Sequence, residues 1–147
     1  MLPLVQLVAL LATTTFAGAA IYITFVEQPA RMNCSTEVAA TQWAPSYQRA
    51  TLMQAPLEMI GFLCGTLAWW LGAGLPWLIG ALLILTVVPF TLLVIGPLVN
   101  ARLLAIEPNR SADETRTLLR RWGQLHAVRS GLGLMAAVIF AWQAVVH

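Results

Sequence analysis

LPWLIGALLILTVVPFTLLVIGPLVNA, Leu75 to Ala101, is a run of 27 residues without a single charged side chain. A helix needs about 20 apolar residues to cross the hydrocarbon core of a bilayer, and this run exceeds that. Its two internal prolines, Pro89 and Pro97, are tolerated in a spanning helix as kinks and can help to open a cavity. Three further runs have the same character. Leu2 to Val26 carries no charge, Ala55 to Leu71 is interrupted by Glu58, and Ala127 to Val146 has Arg129 near its start.

Composition agrees with this reading. The chain has 147 residues, 59% of them hydrophobic and 10% charged, with a mean hydropathy of +0.78. Soluble domains carry roughly 25% charged residues, and a water-soluble fold of this size could not bury so much apolar surface. Spanning segments must satisfy their backbone groups internally. The runs are too long and too continuous for the alternating strands of a membrane barrel. The expected fold is all-α: an integral membrane four-helix bundle, one domain over residues 1–147, with a short cytoplasmic helix leading into the fourth span. The first run invites a second reading, because FAGAA at positions 16–20 looks like a signal-peptide cleavage region. No Lys or Arg precedes it, however, and the apolar stretch continues through IYITFV, so a first span is preferred.

The connections orient the bundle. Residues 27–54 form the expected first loop with Arg31 and Arg49, and 72–76 form a tight uncharged turn. Residues 102–126 form the third loop with Arg102, Arg110, Arg116, Arg120 and Arg121. With four spans, all seven loop arginines share one face, which the positive-inside rule places in the cytoplasm of a bacterial inner membrane, both termini outside. That rule also accounts for the net charge of +2. No patterned basic patch suggests a nucleic-acid partner. Within the third loop, Ser111 stands three residues before Glu114, a capping box that should open a helix near Ala112, with Gly123 as a place to bend. Cys34 and Cys64 are read as free thiols, one in a reducing compartment and one inside a span. His147, at the C-terminal end, is given no role.

Polar residues then gather on helical faces. At 100° per residue, Trp122, His126, Arg129 and Gly133 fall within an arc of about 60°. If the second helix starts early and tolerates Pro56, then Tyr47, Gln54, Glu58, Gly61 and Gly65 share an equally narrow arc. Gly61 and Gly65 form a GxxxG surface of close approach. Together with Gly18 and the pair Gly131 and Gly133, that surface suits packing within one chain or homo-oligomerisation. Glu58 therefore faces inward, where a carboxylate needs a partner; Arg129 and His126 are the candidates. Asn100 closes the third helix at the same end, and Tyr22 and Glu27 the first. The opposite end, around WWLGAGLPW, lacks such side chains. Structural readings stand beside the functional ones: Trp122 as an interfacial belt residue, Arg129 snorkelling to headgroups, and Arg120 and Arg121 as anchors.

Four stretches, FAGAAIYITFVEQPAR, YQRATLMQAPLEMIG, VPFTLLVIGPLVNARL and LLRRWGQLHAVRSGLG, together resemble the anthrone oxygenase-like membrane proteins. The resemblance runs from Phe16 to about Gly133, and its most specific element is the W-x3-H-x2-R spacing at Trp122, His126 and Arg129. Gly18, Tyr22, Glu27, Pro29, Tyr47 and Asn100 also match the pattern. Glu58 joins them on physical grounds alone. The resemblance implies oxidation of anthrones to anthraquinones with molecular oxygen, without flavin, haem or metal. In such a reaction His126 would be general base, with Glu58 or Glu27 orienting it. Arg129 and Asn100 would stabilise a phenolate and later a peroxide, and Trp122 and Tyr47 would flank a flat ring. Tyr22 and Glu27 are assigned to the substrate-binding end. The expected partners are an apolar aromatic small molecule, O2 and the lipid bilayer. Three alternatives stay open: a metal site from His126, Glu27 and Glu58, a haem ligated by His126, and a non-catalytic subunit that binds a quinone or another lipophile. A transporter fits less well, since one end of the bundle lacks polar lining and no inverted repeat occurs.

Overall fold

The structure, a computed structural model, describes residues 1–105 and 111–146. Arg110 and His147 lie outside the described residues. Four helices are long and apolar enough to cross a membrane: α1 (Leu2–Asn33), α2 (Thr36–Ala73), α3 (Leu75–Leu104) and α4 (Ala112–Val146). No strand occurs among the described residues. α1 packs against α2 and α4, and α3 packs against the same two, so the four close a ring. One end carries the corner at Cys34 and Ser35 together with most of the arginines, and is called the arginine end below.

The expected first loop, residues 27–54, is helix almost throughout. α1 passes through a π-helical stretch at Ile23–Glu27 and continues to Asn33. Only Cys34 and Ser35 separate it from α2, whose first turn is capped by Ser35 Oγ accepting from the Val38 amide at 3.4 Å. Polarity misleads here because Pro29 falls in the first turn after the π stretch, where a missing N–H costs little. The polar side chains of the segment also satisfy one another. α2 accommodates both Pro45 and Pro56 and has 38 residues. At 1.5 Å per residue it is about 57 Å long, well beyond the roughly 30 Å of bilayer hydrocarbon.

The turn between α2 and α3 is as tight as expected. Gly72 and Gly74 sit at φ +93° and +99°, a region that costs other residues a Cβ clash. The two prolines of α3 fall in different kinds of helix, Pro89 in the α-helical part Leu75–Phe90. Pro97 lies within a ten-residue π stretch, Thr91–Asn100, where wider turns absorb the missing hydrogen bond. α4 is one uninterrupted helix. Its first turn is capped by Ser111 Oγ accepting from the Glu114 amide at 3.1 Å, while the Glu114 carboxylate pairs with Arg102 instead of completing the box. Gly123 makes room for Gln28, whose side chain comes to 2.9 Å from where a Cβ would be.

Interior packing is layered. At the end away from the arginines Trp77 stacks on Phe140 at 4.9 Å, and Gly65 and Gly80 give that ring its space. In the middle Phe16 occupies the notch at Gly133, and Thr13 the notch at Gly61. The Gly61–Gly65 and Gly133 surfaces are thus used within the chain, whereas Gly18 and Gly131 have nothing within 4 Å. Without a hydrophobic drive between helices in lipid, such close contacts supply the attraction. Both cysteines are free, Cys34 exposed and Cys64 half-buried.

Candidate functional site

At the arginine end α1, α2 and α4 enclose a cleft walled by Tyr47, Gln54, Trp122, His126 and Arg129, with Glu27 and Arg31 at one side. Trp122, His126 and Arg129 are 5%, 2% and 9% exposed. That burial rules out the belt reading for Trp122 and snorkelling for Arg129. Arg120 and Arg121 are exposed, consistent with anchoring.

Glu58 finds its partner in Arg129. The guanidinium Nη2 donates to Glu58 Oε1 at 2.9 Å and to Gln54 Oε1 at 3.2 Å. Both side chains of the ion pair are almost fully buried. A buried charge needs both a counter-charge and further hydrogen bonds, and Gln54 adds one. Two donors nearby are left without partners, Gln54 Nε2 and Arg129 Nε. Both belong to residues that line the cleft.

The carboxylates do not orient His126. Its Nδ1 lies 3.1 Å from Thr24 Oγ1, in the π stretch of α1, and Thr24 Oγ1 lies 2.8 Å from Ser130 Oγ. Trp122 covers one face of the imidazole at 4.8 Å. Glu27 is engaged elsewhere, pairing with Arg31 and accepting from Ser46 Oγ at 2.8 Å and Gln42 Nε2 at 3.1 Å. With Glu58 and Glu27 each held by an arginine, the triad of His126, Glu27 and Glu58 is not gathered. Among the described residues no three His, Cys, Asp or Glu side chains are grouped to hold a metal ion.

Two further expectations are redirected. Asn100 is buried but does not line the cleft; its Nδ2 donates to Tyr47 Oη at 3.1 Å. Tyr47 in turn stacks on Trp43 at 5.1 Å, and Trp43 meets Trp122 edge-on at 5.8 Å. Tyr22 is 57% exposed and does not line the cleft. It lines an outer groove of about 280 Å³ with Val26 and Val38, and Glu27 and Arg31 form the wall that groove and cleft share.

Arg31, taken from sequence as a loop charge, is 5% exposed. Its guanidinium lies 5.6 Å from the centre of the Trp122 ring and donates to Gln28 Oε1 at 2.6 Å. Gln28 Nε2 then donates to the Leu119 carbonyl at 2.8 Å, locking α1 to α4. Arg116 donates to the carbonyls of Met32 and Cys34, neutralising the end of α1. Arg31 and Gln54 line the cleft, and Thr24 and Gln28 hold His126 and Arg31 from behind it; none of the four had been assigned a role in the site. Only Gln54 carried a signal, as a polar residue on the Glu58 face.

The cleft is narrow. Its cavity volume is about 20 Å³, room for a water molecule and not for a ring system. Any larger ligand has to displace side chains at the shared wall.

Comparison with known proteins bears on this arrangement. The family model for anthrone oxygenase matches residues 43–139. That region contains Tyr47, Gln54, Glu58, Asn100, Trp122, His126 and Arg129; α1, with Thr24 and Glu27, precedes it. Anthrone oxygenase tpcL of Aspergillus fumigatus is 47% identical over 70 residues, covering 46% of this chain and 44% of that protein. The match thus spans less than half of that relative's length. No solved structure matches the chain.

Proposed function

This chain belongs to the anthrone oxygenase family, and from that premise we propose that it is a membrane-embedded oxygenase acting on an electron-rich apolar aromatic, an anthrone or similar phenolic, with O2. The observation that carries the proposal is His126, buried yet lining a cleft beside the two unpartnered donors, Gln54 Nε2 and Arg129 Nε. A base and free hydrogen-bond donors on residues lining one cleft are what removal of a proton to give an oxyanion requires.

His126 takes a proton from the central methylene of the substrate, and the carbanion delocalises onto the ring oxygen as a phenolate. Arg129 and Gln54 donate to that oxygen. The anion passes one electron to O2, giving a carbon radical and superoxide. The pair combines to form a C–O bond, and protonation yields a hydroperoxide. Loss of the second hydrogen from that carbon with cleavage of the O–O bond gives the ketone and water. The sum is one methylene plus O2 converted to one carbonyl plus H2O. Glu58 supports this by holding Arg129 in place, and Asn100 acts through Tyr47 rather than on the substrate. Trp122 and Tyr47 provide the flat walls. An apolar substrate arrives from the bilayer at the groove beside Tyr22 and enters by parting the Glu27–Arg31 wall, a gating motion of the kind that often limits turnover. In this reading the arginine end faces the cytoplasm of a bacterial inner membrane, with both termini outside.

The test is oxygen uptake by the purified protein on an anthrone, corrected for spontaneous oxidation, with wild type and His126→Gln. Loss of a general base should lower turnover by roughly 10²–10⁴-fold. Unchanged turnover in the variant would remove His126 as the base. Wild-type protein that consumes no oxygen with any phenolic would favour a lipophile-binding subunit.

A further inference from the structure

The hydrogen bonds around His126 Nδ1 have a direction. Ser130 Oγ has one proton and lies 3.0 Å from the Ala20 carbonyl and 3.2 Å from its own helix's His126 carbonyl. Both are pure acceptors, so either choice commits the serine proton to backbone; a serine inside a helix commonly bonds back in this way. Ser130 Oγ also sits 2.8 Å from Thr24 Oγ1. With the serine proton used, that contact is a hydrogen bond only if Thr24 donates. Thr24 then has no proton left for the imidazole, and the 3.1 Å contact to Nδ1 requires the ring to donate.

The opposite direction, Ser130 to Thr24 to Nδ1, makes two hydrogen bonds where the first makes three. It also leaves the Ala20 carbonyl facing a hydroxyl oxygen at 3.0 Å with no proton between them. Ser130 is 4% exposed, so solvent has little access to make up the missing bond. Hydrogen bonds left unmade in such surroundings are costly, and the first direction prevails. The π stretch of α1 carries Thr24 to this position. Such wide turns recur at functional sites.

We propose that Thr24 and Ser130 are positioning residues that hold His126 as the Nδ1–H tautomer, leaving Nε2 as its proton-accepting nitrogen. Trp122, packed on the ring at 4.8 Å, opposes rotation that would exchange the two nitrogens. The tautomer stands on the hydrogen-bond geometry; its catalytic meaning rests on the reading of His126 as base.

The experiment is 15N NMR of histidine-labelled protein in lipid bilayers at alkaline pH, His126 being assigned by comparison with His126→Gln. The expected wild-type spectrum shows a protonated Nδ1 and an unprotonated Nε2. Thr24→Val should lose that pattern and drop kcat by roughly 10²–10⁴-fold with KM little changed. Thr24→Ser should restore both. A wild-type spectrum with the proton on Nε2, or a Thr24→Val spectrum identical to wild type, would overturn the proposal. The spectrum does not depend on turnover. Should His126→Gln remain active while wild type shows the Nδ1 proton, the base reading fails and the positioning inference stands.

Discussion

Glu58→Leu should be among the most destabilising single changes in this protein, and the structure sets the scale. The carboxylate lies 2.9 Å from Arg129 Nη2. Two unit charges at that separation attract by about 6 kcal/mol at an effective dielectric constant of ~20. Burying both charges consumes most of this gain, so the intact pair adds little net stability. Breaking it is another matter. Glu58→Leu leaves a guanidinium inside the bundle with only Gln54 Oε1 at 3.2 Å and the Phe16 ring at 5.9 Å for company, and such losses run to about 3–5 kcal/mol. At roughly 2–4 °C per kcal/mol for a chain of this size, the midpoint should fall by roughly 6–20 °C. Arg129→Met should be milder, because an abandoned carboxylate can neutralise itself by binding a proton and a guanidinium cannot. The double variant should return close to wild type, with the Gln54 carbonyl left as its residual cost. The assay is thermal unfolding in detergent followed by tryptophan fluorescence, for which the six tryptophans serve. A Glu58→Leu protein as stable as wild type, or a double variant that loses the sum of the single losses, would refute the buried-pair argument.

Four other outcomes follow from particular residues. Gly80→Ala puts a Cβ 2.4 Å from Phe140 Cε1, and that ring is fully buried against Trp77, so unfolding assays should show a loss of about 1–3 kcal/mol. Gly18→Ala, with nothing within 4 Å, is the control and should stay within about 0.5 kcal/mol. Gln54→Leu removes a donor from the proposed oxyanion site and should lower kcat by roughly 10²–10³-fold in the oxygen-uptake assay; an unaltered kcat assigns that role elsewhere. Cys34 is exposed at the arginine end, so a membrane-impermeant maleimide should label it in inside-out vesicles and not in intact spheroplasts. The reverse pattern would invert the proposed topology.

The four helices were legible because their signal is summed over some twenty residues, and no local exception can cancel it. Where the reading failed, a local rule was outvoted by neighbours. Residues 27–54 contain two prolines and two arginines among other polar side chains, and looked like a loop. They are helix because Pro29 sits where its N–H is not needed, and because Arg31, Gln28, Gln42 and Ser46 bond to one another and to Glu27. A polar side chain at a membrane boundary marks a place where helices can be joined by hydrogen bonds, and it does not mark the end of a helix.

The cleft divides along the same line. Trp122, His126 and Arg129 belong to one helix, so periodicity alone brings them to one face, and Glu58 was found because an intramembrane carboxylate demands a partner. Thr24 could not be found this way. It is a small polar residue with no charge to betray it, its partner His126 is 102 residues away, and the π stretch that turns it inward breaks the 100° periodicity on which face assignments rest. The same blindness explains why the two glutamates were nominated to orient His126. They are the conspicuous groups, but a full charge within the bundle is already needed to balance an arginine, Glu58 for Arg129 and Glu27 for Arg31. Orienting a neutral ring asks only for a hydroxyl. The bundle keeps its ion pairs for holding charges in lipid and assigns the imidazole to groups that carry none.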